Sequence, residues 1–209
     1  MHFAMRGTVL AAVVVMASGC GGSKMLMPAR MDLGSFQRIG LVEFTSNADG
    51  KLQSLASQEF LQTMQSAQPG VPVLELGNEK RVLHAIGRDK LDSDALAAVA
   101  EKYNVDAVIV GNLEVTDVTP KVSLSQILTS MDVQADVEAA LTTRILEAGS
   151  GATLWTRSAR STQTVGHAGL DSQGGFHFGA SDPDAAYGDL VDDLVYSITT
   201  DFRPYWVKQ

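Results

Sequence analysis

The sequence predicts an α/β (α+β) domain in which helices pack on a mixed sheet, and three observations predict it. Short β-branched apolar segments alternate with helical stripes over residues 36–110. From Val133 to Ile145 the odd positions are apolar or small, and the even ones mostly polar or charged. A last amphipathic stretch follows a glycine-rich segment and closes the chain. The order is therefore strand-helix-strand-helix-strand, then a long antiparallel hairpin and a C-terminal helix, which is a layered α/β arrangement.

Phe36–Phe44 (Phe-Gln-Arg-Ile-Gly-Leu-Val-Glu-Phe) reads as the first strand, and the polar cluster Thr45–Gly50 as the turn that ends it. Leu52, Leu55, Ala56, Phe60 and Met64 recur at helical spacing, predicting a helix over Lys51–Ser66 that Pro69 and Gly70 stop. Val71–Leu76 is short and apolar, a second strand, and Glu79–Ile86 is a short helix with Val82, Leu83 and Ile86 on one side. Ser93 or Asp94 can cap a further helix with the stripe Leu96, Val99, Ala100 and Tyr103, ending at Asn104. Val105–Val110 is a continuous apolar run, as expected of a central strand covered on both faces.

The alternating segment from Val133 turns through Glu147–Gly151 and returns as Ala152–Gln163, carrying Leu154, Trp155 and Thr156. Gly166–Gly179, with glycines at 166, 169, 174, 175 and 179, reads as a flexible loop. Asp182 and Pro183 then start a helix with the apolar face Tyr187, Leu190, Val191, Leu194 and Ile198, running to about Asp201 and closed by Pro204.

The chain has 209 residues, 45% hydrophobic, with 16 basic against 24 acidic residues and a formal charge of -8. Such a chain has enough apolar surface to order, and it lacks the basic arm that phosphate-backbone binding needs, so no nucleic-acid partner is expected. Arg6 precedes the run Val9–Ala17. Those nine residues span only about 14 Å as a helix, against a hydrocarbon core of about 30 Å, so the pattern is that of a secretory signal and not of a membrane span.

The one cysteine follows immediately, in Ala17-Ser18-Gly19-Cys20. This tetrapeptide resembles the lipobox of bacterial lipoproteins, with Ala17 where leucine is usual. The resemblance implies cleavage between Gly19 and Cys20 and a covalent lipid on Cys20. The alternative is an ordinary signal peptide that leaves a free thiol behind. The expected division is a lipoprotein signal peptide over 1–19, a lipidated N-terminus and flexible tether over 20–35, and one periplasmic domain over 36–209. Gly21, instead of Asp, favours the outer membrane by the lipoprotein sorting rule. A tether of that length reaches on the order of 20 Å. Removal of the signal takes Arg6 with it, so the mature chain is more acidic still, and lipid instead of charge is expected to hold it to a membrane.

Residues suited to chemistry are scattered. His84 has no second ligand at helical spacing, and His167 and His177 flank the glycine-rich loop with only Asp171 between them. Asp182, Asp184, Asp189, Asp192 and Asp193 lack the glycine and terminal glutamate of a calcium loop and read as a charged helix face. No Gly-x-Ser-x-Gly elbow, Walker loop or dinucleotide fingerprint occurs. Trp155 reads as a hairpin residue packed under a helix. No catalytic, metal or cofactor-binding residue is assigned, no cofactor beyond the lipid is expected, and an enzyme is disfavoured.

Phe36-Gln-Arg-Ile-Gly-Leu-Val-Glu-Phe-Thr45, Tyr103-Asn-Val-Asp-Ala-Val-Ile-Val-Gly111 and Leu141–Trp155, in that order, resemble an envelope family. It comprises the curli-secretion-channel lipoprotein and the lipoprotein activators of penicillin-binding proteins, with a domain akin to the amino-terminal domain of the Tol–Pal translocation protein. The likeness covers about Phe36–Thr162. It implies a non-enzymatic, outer-membrane-anchored lipoprotein facing the periplasm and acting by contact with another envelope protein or with its own kind. A subunit of an oligomeric export channel is the alternative, and a small-ligand-binding domain a further one. Thr116–Asp132, with Pro120 and partial alternation, and the glycine-rich loop both depart from what a membrane-spanning hairpin needs.

Overall fold

The computed structural model of the protein describes residues 24–120, 134–166, 168–170, 176–178 and 180–208. In chain order its elements are β1 (Lys24–Met27), β2 (Ile39–Val42), β3 (Thr45–Ser46), β4 (Asp49–Gly50), α1 (Leu52–Ala67), β5 (Val73–Gly77), α2 (Glu79–Ile86) and α3 (Ser93–Tyr103). Then follow β6 (Ala107–Pro120), β7 (Ala135–Glu147), β8 (Thr153–Val165), β9 (Ala168–Leu170), β10 (Phe176–Phe178), α4 (Pro183–Ile198) and β11 (Tyr205–Lys208). Short 3-10 turns occupy Leu33–Ser35 and Thr199–Phe202.

The expected α+β class is the one observed, a mixed sheet with helices packed on it. The main sheet runs β5-β2-β6-β7-β8, with β3 also on β6. β2 is parallel to both neighbours, whereas β6–β7 and β7–β8 are antiparallel. The chain goes from β2 to β5 through α1, then back past β2 to β6 through α2 and α3. Parallel crossovers are right-handed, so this reversal of direction places α1 on one face and α2 with α3 on the other.

Two apolar clusters follow from that layering. Leu52 and Phe60 of α1 meet Leu190 and Leu194 of α4 over Ile109, Leu141 and Ile145. Val82, Leu96 and Val99 cover Val42, Val108 and Leu146 on the opposite face. The start of β6 serves both, Ala107 and Ile109 facing one cluster and Val108 the other, which is why it reads as an unbroken apolar run.

Local signals set the helix ends. The Asn78 side chain accepts the Arg81 N–H at 2.9 Å to open α2, and Gly87 closes it with φ 67°. Asp92, in place of the expected Ser93 or Asp94, caps α3 by accepting the Ala95 N–H at 3.0 Å. That N–H, and then Lys90, hold the Asp92 carboxyl below its ordinary range. Asp182 caps α4 with Pro183 in its first turn, as expected.

Other expectations are corrected. Lys24–Ser35, expected as part of a flexible tether, is fixed in place. β1 pairs antiparallel with β11, and Leu33 is fully buried. Gln68 donates to the Met31 and Phe202 carbonyls at 2.6 and 3.0 Å and accepts the Leu33 N–H at 2.7 Å. The Met31 N–H reaches the Asp201 carbonyl at 3.0 Å. These partners come from the far end of the chain, so no local pattern announces them. β11 itself, beyond Pro204, was not expected for the same reason.

Thr116–Pro120, read from the sequence only as a departure from a membrane hairpin, continues β6 beyond the expected run Val105–Val110. The register shift between Val115 and Asp117 takes up one extra residue and returns Val118 to the core. The rest of that segment lies outside the described residues. Within Gly166–Gly179, expected as a flexible loop, β9 and β10 form a small sheet in which β10 pairs parallel with β4. Phe178 is fully buried against the Tyr187 ring at 5.3 Å. Gly50 makes this pairing possible: its φ is 119°, and a Cβ there would stand 2.0 Å from the Phe178 carbonyl oxygen. The first strand is also shorter than Phe36–Phe44. It begins only at Ile39, after Asp106 has accepted the Gln37 and Arg38 N–H groups at 2.6 and 3.1 Å.

Candidate interaction surface

Cys20 and Gly19, the residues assigned to lipidation and signal cleavage, lie outside the described residues, as do His167 and Asp171. His84 is exposed on α2 and His177 is exposed on β10. Among the described residues, no three His, Cys, Asp or Glu side chains gather in a way that could hold a metal ion. What the fold does assemble is a surface.

The helices α2 and α3 cover only the end of their sheet face next to the β7–β8 turn, over Val108, Leu146 and Ala148. Beyond them no described element covers the three long strands, whose outward side chains are exposed or half-buried. Cross-strand partners form rows on this face: Val110–Arg144–Thr156, Asn112–Thr142–Ser158 and Glu114–Ala140–Arg160. Glu138–Thr162 and Asp136–Thr164 continue the pattern on β7 and β8. The period-two alternation read from Val133 onward places these side chains outward and Val137, Leu141 and Ile145 inward.

Hydrogen bonds tie the rows. Thr142 Oγ1 and Ser158 Oγ stand 2.8 Å apart, and Thr164 Oγ1 donates to Asp136 Oδ1 at 2.7 Å. Thr45 Oγ1 donates to Asn112 Oδ1 at 3.0 Å. Arg144 and Arg160 are exposed, and among the described residues neither has a carboxylate within ion-pair distance. A cleft of about 500 Å³, lined by Glu43, Leu91, Val110, Asn112 and Arg144 among others, marks where the helical cover ends. Among the described residues β8 is the terminal strand of the sheet, thirteen residues with a ladder on one side. An edge of that length is a template for strand addition.

The other face of β8 is occupied. Trp155 packs on Phe202 with ring centroids 4.9 Å apart, so it sits under the C-terminal turn as expected of it. Trp155 Nε1 and Arg157 Nη1 both donate to Asp201 Oδ2, at 3.2 and 2.9 Å. Ser161 donates to Asp193 at 3.2 Å, and Gln163 donates to the same carboxylate. One member of the acidic group on α4 is thus a structural acceptor, and Asp182 is the helix cap.

The remaining acids are crowded. Burial, then Asp184, Asp189 and Asp193, push the Asp192 carboxyl above its ordinary range. Burial, then Asp192 and Asp184, do the same to Glu59 on α1. Both groups bind protons more tightly in the folded chain than in the unfolded one. Their ionisation therefore costs stability above the raised pKa, and the cost is relieved as pH falls through it. Asp192→Asn is accordingly expected to raise Tm at pH 7, with the gain shrinking toward the ordinary carboxylate value of about 4. Thermal unfolding across that range checks it, and a gain that does not change with pH contradicts the electrostatic cause.

The chain matches no protein-family model and no curated protein. Several solved structures are similar to it. The PelC dodecamer from Paraburkholderia phytofirmans is 10% identical, with 87% of this chain and 97% of that one covered and a TM-score of 0.46. Lipoprotein GNA1162 from Neisseria meningitidis is 17% identical, over 61% and 83%, at 0.37. The LpoB C-terminal domain from Escherichia coli is 9% identical, over 61% and 83%, at 0.38. The likeness is one of architecture and transfers no residue role. Among the described residues, no helix is long and apolar enough to cross a membrane.

Proposed function

We propose that the protein is a non-enzymatic lipoprotein, held on the outer membrane through Cys20, that supports envelope assembly or secretion. It does so by presenting the open β6–β7–β8 face to another envelope protein or to its own kind. The observation that carries this reading is the face itself. Among the described residues, three long strands expose ordered polar rows, two arginines without ion-pair partners and an edge laddered on one side only, and no group of metal-ligating side chains gathers. Arginine forks for a partner's carboxylates and edge-strand hydrogen bonds are what such a surface can offer. As a channel subunit the chain would need membrane hairpins of strands about 9–11 residues long with alternating lipid-facing residues, and Thr116–Asp132, with Pro120 and only partial alternation, departs from that pattern.

Two measurements test the proposal. Intact mass of the membrane-extracted protein is expected to show cleavage before Cys20 and added acyl mass, and Cys20→Ala is expected to leave the membrane fraction. A Cys20→Ala chain that is still cleaved and still membrane-bound refutes the anchor. A photo-crosslinking residue at Ser158, on the open face, is expected to give a discrete adduct in cells, whose mass separates self-association from another protein. The same residue at Gln62, on the exposed side of α1, is the control. Adducts from Gln62 alone would refute the face.

A further inference from the structure

The β1–β11 ribbon has two unequal faces. Cross-strand pairing sets Leu26 opposite Trp206 and Lys24 opposite Lys208, and the two-residue period places all four on one side. All four are exposed, Leu26 at 52% and Trp206 at 65%. The other side carries Met25, Met27, Tyr205 and Val207. Met27 and Tyr205 there are half-buried, with Arg30 stacked over the Tyr205 ring at 4.7 Å, while Met25 and Val207 at the outer end are exposed at 46% and 39%. The Tyr205 side is thus the more covered of the two, and the Leu26–Trp206 side the more open.

Two features of the more open side are unfavourable for a ribbon in water. A tryptophan and a leucine are left exposed side by side. Two lysines stand directly opposite each other, a like-charge pairing that costs stability. Among the described residues neither lysine has a carboxylate within ion-pair distance, although the chain carries a net charge of -8. A tryptophan beside lysines is the combination favoured at the headgroup layer of a bilayer, where the indole meets both water and hydrocarbon and the ammonium groups meet anionic lipid.

The distance to the anchor decides the occupant. Only four Cα steps separate Cys20 from Lys24, a reach of at most about 14 Å. If Cys20 carries the lipid, the start of β1 cannot stand farther than that from the membrane surface.

We propose that the Leu26–Trp206 side of the ribbon rests in the headgroup layer of the bilayer that holds the Cys20 lipid, with Lys24 and Lys208 against anionic headgroups. The domain is then docked in one orientation, and its position under the membrane is set by the ribbon instead of by a swinging tether. This inference rests on the anchor at Cys20.

The test uses the lipidated full chain reconstituted into vesicles of phosphatidylethanolamine and phosphatidylglycerol whose acyl chains are brominated near the headgroup. The protein has two tryptophans, and Trp155 lies against Phe202, so the difference between wild type and Trp206→Phe isolates the Trp206 emission. Loss of most of that emission in brominated vesicles is expected. Leu26→Asp, at an exposed position, is expected to keep the acyl mass and the flotation with vesicles while restoring the Trp206 emission. Trp206 that stays unquenched in a protein shown by mass to be acylated, and which floats, overturns the inference alone. Blue-shifted emission in that case identifies a second copy or another protein over the ribbon. A chain without acyl mass that does not float overturns the anchor, and the inference with it.

Discussion

Phe60→Ala is expected to cost about 3–5 kcal/mol of folding stability, the range for removing a fully buried aromatic ring. Phe60 has no solvent exposure and sits where α1 meets two other parts of the fold. Its ring stands edge-on to Phe44 at 5.3 Å and to Phe202 at 6.0 Å, and Phe202 in turn packs on Trp155. Alanine would leave a cavity between the end of β2, the C-terminal turn and β8. It would also remove two aromatic pairs, each contributing about 0.5–1.5 kcal/mol beyond its buried area. A domain of this size has only about 5–15 kcal/mol in hand, so the variant is expected to unfold at a much lower urea midpoint. Leu74→Ala, at a position 37% exposed on the edge strand β5, is the comparison, and should shift stability by no more than about 0.5 kcal/mol. Equal shifts for the two variants would contradict the packing assigned to Phe60.

Gly111→Ala is the second large effect, expected at about 1–3 kcal/mol or somewhat more. The backbone of Gly111 is not in the left-handed region, so the cost arises from space alone. An added Cβ would fall 2.4 Å from the Phe44 ring. That ring has little freedom to retreat: Phe60 abuts it, and the Phe44 N–H is held by Ser57 Oγ at 2.8 Å. The clash predicts coupling between the two positions. In a Phe44→Leu background the glycine substitution is expected to cost clearly less than in the wild type, a departure from additivity that urea unfolding of the four chains measures. Simple addition of the two losses would place the cause elsewhere.

Several elements were legible before the structure because their causes are local. Asn78 and Gly87 bracket α2 at the bounds expected from the sequence, and Asp182 with Pro183 opens α4. The alternation from Val133 marks which side of β7 is wet, and hence half of the candidate surface. The bulge at Thr116 hid the second half of β6, since one extra residue breaks the period on which the reading depends. The capping position of α3 was off by one because Asp92, Ser93 and Asp94 are all capable acceptors and only backbone geometry chooses among them. Arg144 and Arg160 were visible only as polar members of two strands. Their place on one uncovered face follows from register between β7 and β8 and from where α2 and α3 stop.

By itself the sequence determined the class of fold, the helices with their near-neighbour caps, the face assignment of β7 and the placing of its one cysteine in a lipobox-like run. Each is a property of residues within a few positions of one another, where periodicity and capping act. Only the tertiary structure decided that Lys24–Ser35 is bound to the domain, that β11 exists, and that Leu26 and Trp206 share an exposed side. Those features hang on Gln68 meeting Leu33 across 35 positions and on Arg30 meeting Asp201 across 171. Contacts at such separations are made by the closing of the fold, which pairs β1 with β11, and no local pattern of residues specifies them.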